Sequence, residues 1–230
     1  MGLKHVLRDW FQTHGADIRY IPVPQGIPDR NLYRPTFSPW HGEPFRTIME
    51  KIKPYTLVSP DRCFALYNLA SQAAHLPGQF VECGVYRGGT AMLLATIGKP
   101  LHLYDTFAGM RETDPKRDLH HAGDFADTSI EAVRARVPSA VFHPGWIPET
   151  FTDLPDQISL AHVDLDLYRP ILDCCEHFYP RMPNGAFMVF DDYGFPSCPG
   201  ARQAVDEFFA DKPERPLVLA SGHAIVFIHH

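Results

Sequence analysis

Four aspartates form two acidic pairs, and each pair follows a short apolar run. Asp164 and Asp166 follow ISLAHV, while Asp191 and Asp192 follow FMVF. Carboxylates held this close repel one another unless a cation or protons compensate them, so two such pairs favour a metal site over helix caps. Their oxygens are hard ligands, and no cysteine or clustered histidine joins them, so the pattern favours Mg²⁺ over Zn²⁺. Strand alternation puts Asp164 and Asp166 on the same side, so one can bind the ion while the other faces a substrate.

A glycine-rich segment, ECGVYRGGT, follows an earlier apolar run. Gly84, Gly88 and Gly89 allow its backbone to turn tightly and to approach a ligand closely. The glycine spacing is not GxGxxG, and no Walker Lys-Ser/Thr follows it, so the segment is less suited to binding phosphate than to surrounding a nucleoside or an amino-acid moiety. The alternative is that it forms a structural turn without a ligand. Asp105 ends the next apolar run. If the ligand is a nucleoside, a carboxylate at this position can accept hydrogen bonds from both hydroxyls of the ribose. The alternative is that Asp105 only caps a turn.

Apolar strands alternate with helices through most of the chain. Ser59-Pro60-Asp61 is a helix start, with a capping serine and proline at the first helical position. The predicted strands are 79–83, 101–104, 140–143, 158–163 and 185–190, the later helices are 90–97, 130–136, 170–178 and 201–209, and two final strands join at Ser221-Gly222. The alternation predicts an α/β fold with a mostly parallel sheet, helices on both faces and a C-terminal antiparallel hairpin. Ligands of such sheets bind outside the carboxyl ends of the strands.

Composition excludes several classes of protein. The chain has 230 residues, 45% hydrophobic and 21% charged, which is the balance of a globular protein. A net charge of −6 without a basic block argues against nucleic acid as the main partner. No apolar run suits a membrane span, and the start does not resemble a signal peptide. The five cysteines include no CxxC pair, so a reducing cytoplasm fits better than a disulfide framework.

The first 54 residues differ in character from the rest. Residues 21–40 are rich in proline and aromatic side chains and lack periodicity, which predicts an extended arm or lid. Its aromatic side chains either line a pocket or pack on the body or on a partner subunit, so a homodimer or larger assembly is a further expectation. We therefore predict an arm over 1–54 and a catalytic domain over 55–230.

The ordered motifs resemble those of the macrocin-type O-methyltransferases, a family that includes enzymes methylating the sugars of macrolide and aminocoumarin antibiotics. The resemblance covers about residues 55–230 and rests on six segments, VECGVYRGGT, LYDTFAGM, GWIPETF, HVDLDLY, YPRMPNGAFMVFDDYG and GARQAVDEFF. It implies a Rossmann-like class I methyltransferase fold with a seven-stranded sheet, and S-adenosylmethionine and Mg²⁺ as cofactors. The chain departs from the family in having Leu57 where methionine is usual, and His120-His121 within the polar segment 108–127.

The resemblance also implies residue roles. Asp164, Asp191 and Asp192 are the expected metal ligands, and Asp166 is the expected general base. The residues expected to bind the cofactor are Thr56, Glu82, Gly84, Tyr86, Arg87, Gly88, Gly89, Asp105, Thr106, Phe107, Asp124, Phe125, Gly145, Trp146 and Asp164.

The predicted reaction is methyl transfer to a hydroxyl of a small molecule. The resemblance favours a sugar of a glycosylated natural product as this acceptor. Coordination to a dication lowers the pKa of a hydroxyl, so a carboxylate suffices as the base. A catechol or another small diol is the alternative acceptor. A non-catalytic cofactor-binding module is the alternative of a different class, and the four intact aspartates argue against it.

Overall fold

Seven strands pair into one mixed sheet in this computed structural model, which describes Trp10 and residues 39–111 and 113–230. The strands are β1 (Gln79–Cys83), β2 (Leu101–Asp105), β3 (Val141–Pro144), β4 (Ile158–Val163), β5 (Phe187–Phe190), β6 (Leu217–Val218) and β7 (Ala224–Phe227). Their order is β3-β2-β1-β4-β5-β7-β6. Strands β1 to β5 are parallel, whereas β7 runs antiparallel to both β5 and β6. The predicted α/β class and C-terminal antiparallel hairpin are confirmed.

Helices cover both faces of the sheet because alternate strand residues point to opposite sides. The helices are α1 (Phe45–Ile52), α2 (Pro60–Ala73), α3 (Gly89–Ala95), α4 (Ile130–Arg136), α5 (Tyr168–Phe178) and α6 (Pro199–Phe209). Val81 and Cys83 of β1 join the core under α5 and α6, while Phe80 joins the core under α1 to α4. Within the described ranges, no helix has both the length and the apolar character that crossing a membrane requires.

Helix α1 belongs to this core, although the sequence assigned its residues to the arm. Phe45, Met49 and Ile52 recur at the spacing of one helical face, and all three are buried with residues of α2 and α3. Proline at 44 and 54 obscured this short amphipathic helix in the sequence. The compact unit begins at Pro39. The rest of the predicted arm, apart from Trp10, lies outside the described residues.

The position of the central strands explains where a site can form. β1 and β4 are neighbours, and the chain order reverses between them. Loops leaving the carboxyl ends of such strands diverge and open a crevice, which is where ligands bind in open α/β sheets. The glycine segment follows β1 and the first acidic pair follows β4, so both flank this crevice.

We expect Phe45→Ala to destabilise the domain, since Phe45 is 2% exposed within the core. Truncating a buried phenylalanine costs about 3–5 kcal/mol. Lys51→Ala, on the exposed face of the same helix, is the control and should change the free energy of unfolding by less than about 0.5 kcal/mol. Denaturant unfolding checks both variants, and equal stability of the two would show that α1 is a dispensable part of the arm.

Candidate active site

A cavity of about 590 Å³ opens at the carboxyl ends of the central strands. This volume lies within the range of small-molecule sites, about 300–1,000 Å³. The predicted residues that line it are Thr56, Gly84, Tyr86, Asp105, Thr106, Phe125, Gly145, Trp146, Asp164, Asp166, Asp191 and Asp192. The glycine segment and the two acidic pairs therefore face one space.

Asp105 fixes the glycine loop against β2. Its Oδ2 accepts hydrogen bonds from the backbone N–H groups of Val85 and Tyr86, at 2.6 and 2.9 Å. Its Oδ1 accepts one from the N–H of Phe107 at 2.7 Å. The two oxygens of a carboxylate offer about four acceptor positions, so this structural role leaves room for a ligand hydroxyl. Both interpretations of Asp105 from the sequence are therefore compatible with its geometry.

Glycine at 84 lets the loop touch the segment that carries the first acidic pair. Gly84 has a φ of +84°, and a Cβ there would lie 1.7 Å from the carbonyl oxygen of Asp164. Gly89 plays a similar part at the start of α3, where a Cβ would lie 2.6 Å from the Cβ of Thr56. Gly89 does not line the cavity itself, but its small size allows Thr56 to do so.

Three of the aspartates converge in a geometry that suits a hard cation. One carboxylate oxygen each from Asp164, Asp191 and Asp192 lies within 4.8 Å of the others. Burial and the neighbouring carboxylates raise the pKa of Asp164 and of Asp192 well above the usual value. Oδ1 of Asp191 is buried and accepts no hydrogen bond from the described residues. An all-oxygen set with an unsatisfied buried acceptor fits Mg²⁺.

An arginine and a histidine partly compensate the negative charge of Asp191. The Arg62 guanidinium contacts its Oδ2, and Nε2 of His223 lies 3.1 Å from its Oδ1 without the alignment of a hydrogen bond. Burial alone would raise the pKa of Asp191, but His223, His162 and Arg62 outweigh it and hold that pKa below its usual range. The carboxylates at this end of the sheet therefore differ in charge, with Asp191 the one that stays ionised most readily.

Asp166 occupies a distinct position beside the triad of carboxylates. It follows the end of β4 with a φ of +60°, so a turn rather than strand alternation sets its direction. Its backbone N–H donates to Oδ2 of Asp192 at 2.9 Å. Burial raises the pKa of its carboxyl, against the lowering effect of the Cys198 thiol and the His120 ring. A non-glycine residue held in this left-handed region is strained, which is a common property of functional positions.

The neighbours of Asp166 include two residues that sequence reasoning did not place there. Cys198 Sγ lies 3.1 Å and His120 Nε2 lies 3.5 Å from Asp166 Oδ1. The expectation that no cysteine or histidine joins the acidic cluster is therefore wrong. Asp118, which is buried within the polar segment 108–127, accepts the backbone N–H of Tyr168 at 2.9 Å and so fastens this segment to α5.

Six predicted cofactor residues do not line the cavity. These are Glu82, Arg87, Gly88, Gly89, Phe107 and Asp124. Glu82 is buried in β1, where its Oε1 lies 2.8 Å from Nδ1 of His162. Arg87 pairs with Asp127 on the outside, and Asp124 contacts His120. Of the six, Arg87 and Asp124 contact side chains that do line the cavity, those of Tyr86 and His120.

Gly145 and Trp146 form the wall beyond β3. The N–H of Gly145 donates to the backbone carbonyl of Asp105 at 2.9 Å, which joins this wall to the end of β2. The Arg111 guanidinium lies 5.4 Å from the centre of the Trp146 ring, within the range of a cation–π contact. A flat apolar surface of this kind suits a nucleobase.

Residues 52–218 match the family model for Macrocin-O-methyltransferase (TylF). The chain belongs to this family. The resemblance inferred from the six segments is thereby confirmed.

Two curated relatives from Streptomyces species illustrate the family. Demethyldecarbamoylnovobiocin O-methyltransferase of Streptomyces niveus is 30% identical over 158 residues, covering 59% of this chain and 60% of that enzyme. The 8-demethyl-8-(2,3-dimethoxy-alpha-L-rhamnosyl)-tetracenomycin-C 4'-O-methyltransferase of Streptomyces olivaceus is 28% identical over 155 residues, covering 58% of each chain. The chain thus spans about 60% of the length of these relatives.

The solved structure of the O-methyltransferase NovP superposes with a TM-score of 0.69 at 23% identity, covering 76% of this chain and 83% of NovP. A likeness at this identity concerns the fold. It confirms the class I methyltransferase architecture that the resemblance implied.

We expect Gly84→Ala to be far more damaging than Gly98→Ala. Both glycines have a φ near +80°, but a Cβ at 98 meets nothing within 4 Å, whereas one at 84 overlaps the Asp164 carbonyl. Gly98→Ala should cost about 1 kcal/mol from backbone strain alone, and Gly84→Ala about 3 kcal/mol or more. Urea unfolding measures both, and equal losses would contradict the close packing of the loop on Asp164.

Proposed function

We propose that the protein is a metal-dependent O-methyltransferase that moves the methyl group of S-adenosylmethionine to a hydroxyl of a small molecule. The observation that carries this proposal is one cavity with the glycine loop and Asp105 on one side and four aspartates on the other. Membership of the macrocin O-methyltransferase family supports the reaction type.

The cofactor side of the cavity is pre-organised by the backbone. The loop after β1 is held by Asp105 and by its contact with Asp164, so little ordering is left to be done on binding. We assign the ribose hydroxyls to Asp105, the methionine part to Gly84 and Tyr86, and the adenine to the wall at Trp146.

The acidic side fits both a cation and a base. Asp164, Asp191 and Asp192 would hold a divalent ion, which would lower the pKa of a neighbouring hydroxyl, and bound S-adenosylmethionine would supply the electrophilic methyl group. We assign to Asp166 the role of accepting the proton of that hydroxyl. An ordinary aspartate is a weak base, but burial raises the pKa of Asp166 and so brings it closer to the working pH.

The acceptor that we favour is a sugar hydroxyl of a glycosylated natural product. The name of the Streptomyces olivaceus relative specifies a rhamnosyl substrate, and a sugar offers adjacent hydroxyls suited to chelation. We also propose a cytoplasmic location, since the five cysteines are free and buried. Assembly as a homodimer stays a prediction from the sequence.

We expect Asp166→Asn to fold and to bind S-adenosylmethionine while methyl transfer falls by about 10²–10⁴-fold, the range for a lost general base. Asp156→Asn is the control, because Asp156 is exposed and lies outside the cavity. Isothermal calorimetry measures cofactor binding, and mass spectrometry of a panel of glycosides and catechols measures transfer.

Transfer only to catechols would replace the sugar assignment with the diol alternative. Cofactor binding by the wild-type protein without transfer to any hydroxyl would favour a binding module. Near-normal turnover of the Asp166→Asn protein would remove Asp166 from the base role.

We expect Asp192→Asn to raise the melting temperature of the metal-free protein. The raised pKa of Asp192 means that its charged form is disfavoured on folding, so the penalty is present above that raised pKa and disappears as the pH falls towards the usual aspartate value. A neutral asparagine relieves the penalty at pH 8 and not at pH 4; a gain of about 1 kcal/mol corresponds to about 2–4 °C.

The same variant tests the metal role. Mg²⁺ should raise the melting temperature of the wild-type protein at pH 8 and do so much less for Asp192→Asn, since ligand binding to the folded state stabilises it. A chelator should abolish transfer by the wild-type protein, and Mg²⁺ should restore it. Full activity in excess chelator would exclude the metal role.

A further inference from the structure

We propose that His120, Asp166 and Cys198 form a second metal site, separate from the Asp164/Asp191/Asp192 triad and selective for a borderline-soft divalent ion such as Zn²⁺. The three side chains come from the loop 108–127, the end of β4 and the start of α6. All three line the cavity. The proposal concerns metal binding alone and stands independently of methyl transfer.

Two of the three distances between the ligand atoms match a tetrahedral ion, and the third is the shorter distance of a thiol-to-carboxylate hydrogen bond. Cys198 Sγ lies 3.1 Å from Asp166 Oδ1 and 3.6 Å from His120 Nε2, and the last pair, Nε2 and Oδ1, is 3.5 Å apart. Ligand atoms bound to Zn²⁺ at its usual sulfur, nitrogen and oxygen distances in a tetrahedron are about 3.4–3.6 Å apart. Binding an ion would therefore require Cys198 and Asp166 to separate by about 0.4 Å, and an ion could reach the three ligands from the cavity that they line.

The donor set selects a different ion from the neighbouring triad. A thiolate and an imidazole suit Zn²⁺ and similar transition metals, whereas three carboxylates suit Mg²⁺. Three protein ligands with one open position are the arrangement of catalytic zinc sites rather than of closed structural ones. Two sites of unlike chemistry thus adjoin, linked by the hydrogen bond from the Asp166 N–H to Asp192.

A second carboxylate orients the histidine as zinc sites require. Oδ2 of Asp124 lies 3.2 Å from Nδ1 of His120 and also accepts the backbone N–H of His121 at 3.0 Å. With the proton assigned to Nδ1, the lone pair on Nε2 faces Asp166 and Cys198. Histidine ligands of metals commonly donate their other N–H to a carboxylate in this way. Asp124, which does not line the cavity, would thereby orient the ring of His120.

Binding at this site requires the thiol to ionise. Burial raises the pKa of the Cys198 thiol, together with the charges of Asp192 and Asp166, so the metal-free thiol is protonated and donates to Asp166. On binding, the S–H bond breaks, sulfur forms a bond to the ion and the proton passes to solvent. Affinity should therefore increase with pH.

The test uses Co²⁺, which reports its ligands by absorption, added to the full chain without S-adenosylmethionine or acceptor and with Mg²⁺ in excess. We expect a thiolate-to-cobalt charge-transfer band that saturates at one ion per chain and is displaced by Zn²⁺. Cys198→Ser should abolish the band. Asp124→Asn, which leaves all three ligands in place, should weaken Co²⁺ binding by about 10–100-fold.

His121→Asn is the matched control for His120→Asn, since the His121 side chain is outside the cluster and only its backbone contacts Asp124. The band should survive in the first variant and disappear in the second. Circular dichroism of each variant confirms folding. Co²⁺ binding without a thiolate band, a band that persists in Cys198→Ser, or no binding by the folded wild-type chain would overturn the proposal.

Discussion

Four aspartate side chains are held largely out of water where β4 and β5 end, and the arrangement of the site depends on balancing them. An unpaired buried carboxylate is expensive, and three of the four have a specific polar neighbour. Arg62 and His223 face Asp191, the N–H of Asp166 satisfies Asp192, and Cys198 donates to Asp166. Asp164 and Asp192 remain the carboxylates whose charge is least compensated, which is why a cation fits beside them.

Backbone hydrogen bonds connect the segments that carry the aspartates to the strand that precedes the glycine loop. The N–H of Asp164 donates to the carbonyl of Cys83, and the N–H of Asp191 donates to that of Val163, so the sheet ladder continues one residue past each strand. The absence of a side chain at Gly84 lets the loop after β1 rest on Asp164. The spacing between the donor loop and the carboxylates is consequently set by rigid sheet geometry, which suits a reaction that depends on alignment.

The central part of this arrangement follows from local sequence signals. Apolar runs that end in Gly84, Asp105, Asp164 and Asp191 predict strands whose carboxyl ends meet, and the parallel order brings them together. Two features escaped prediction for physical reasons. Helix α1 is short and lies between prolines, so its amphipathic pattern is weak evidence alone. The contact of His120 with Cys198 joins residues 78 positions apart in the sequence. It depends on the loop that Asp118 anchors, and the sequence of that loop has no hydrophobic periodicity from which its position could be predicted.

Asp166 is the residue at which these constraints meet. Its Oδ1 faces the Cys198 thiol and His120, while its backbone is fixed to Asp192. An ion bound through Oδ1 would leave only Oδ2 of Asp166 to accept the proton of an acceptor hydroxyl, so the proposed His120/Asp166/Cys198 site and the proposed base role compete for one carboxylate. The strained φ of +60° holds the side chain within reach of both partners. Metal binding further requires the Cys198 thiol to lose the proton that it donates to Asp166 in the metal-free state, so the carboxylate and the thiol are linked in both proposed roles.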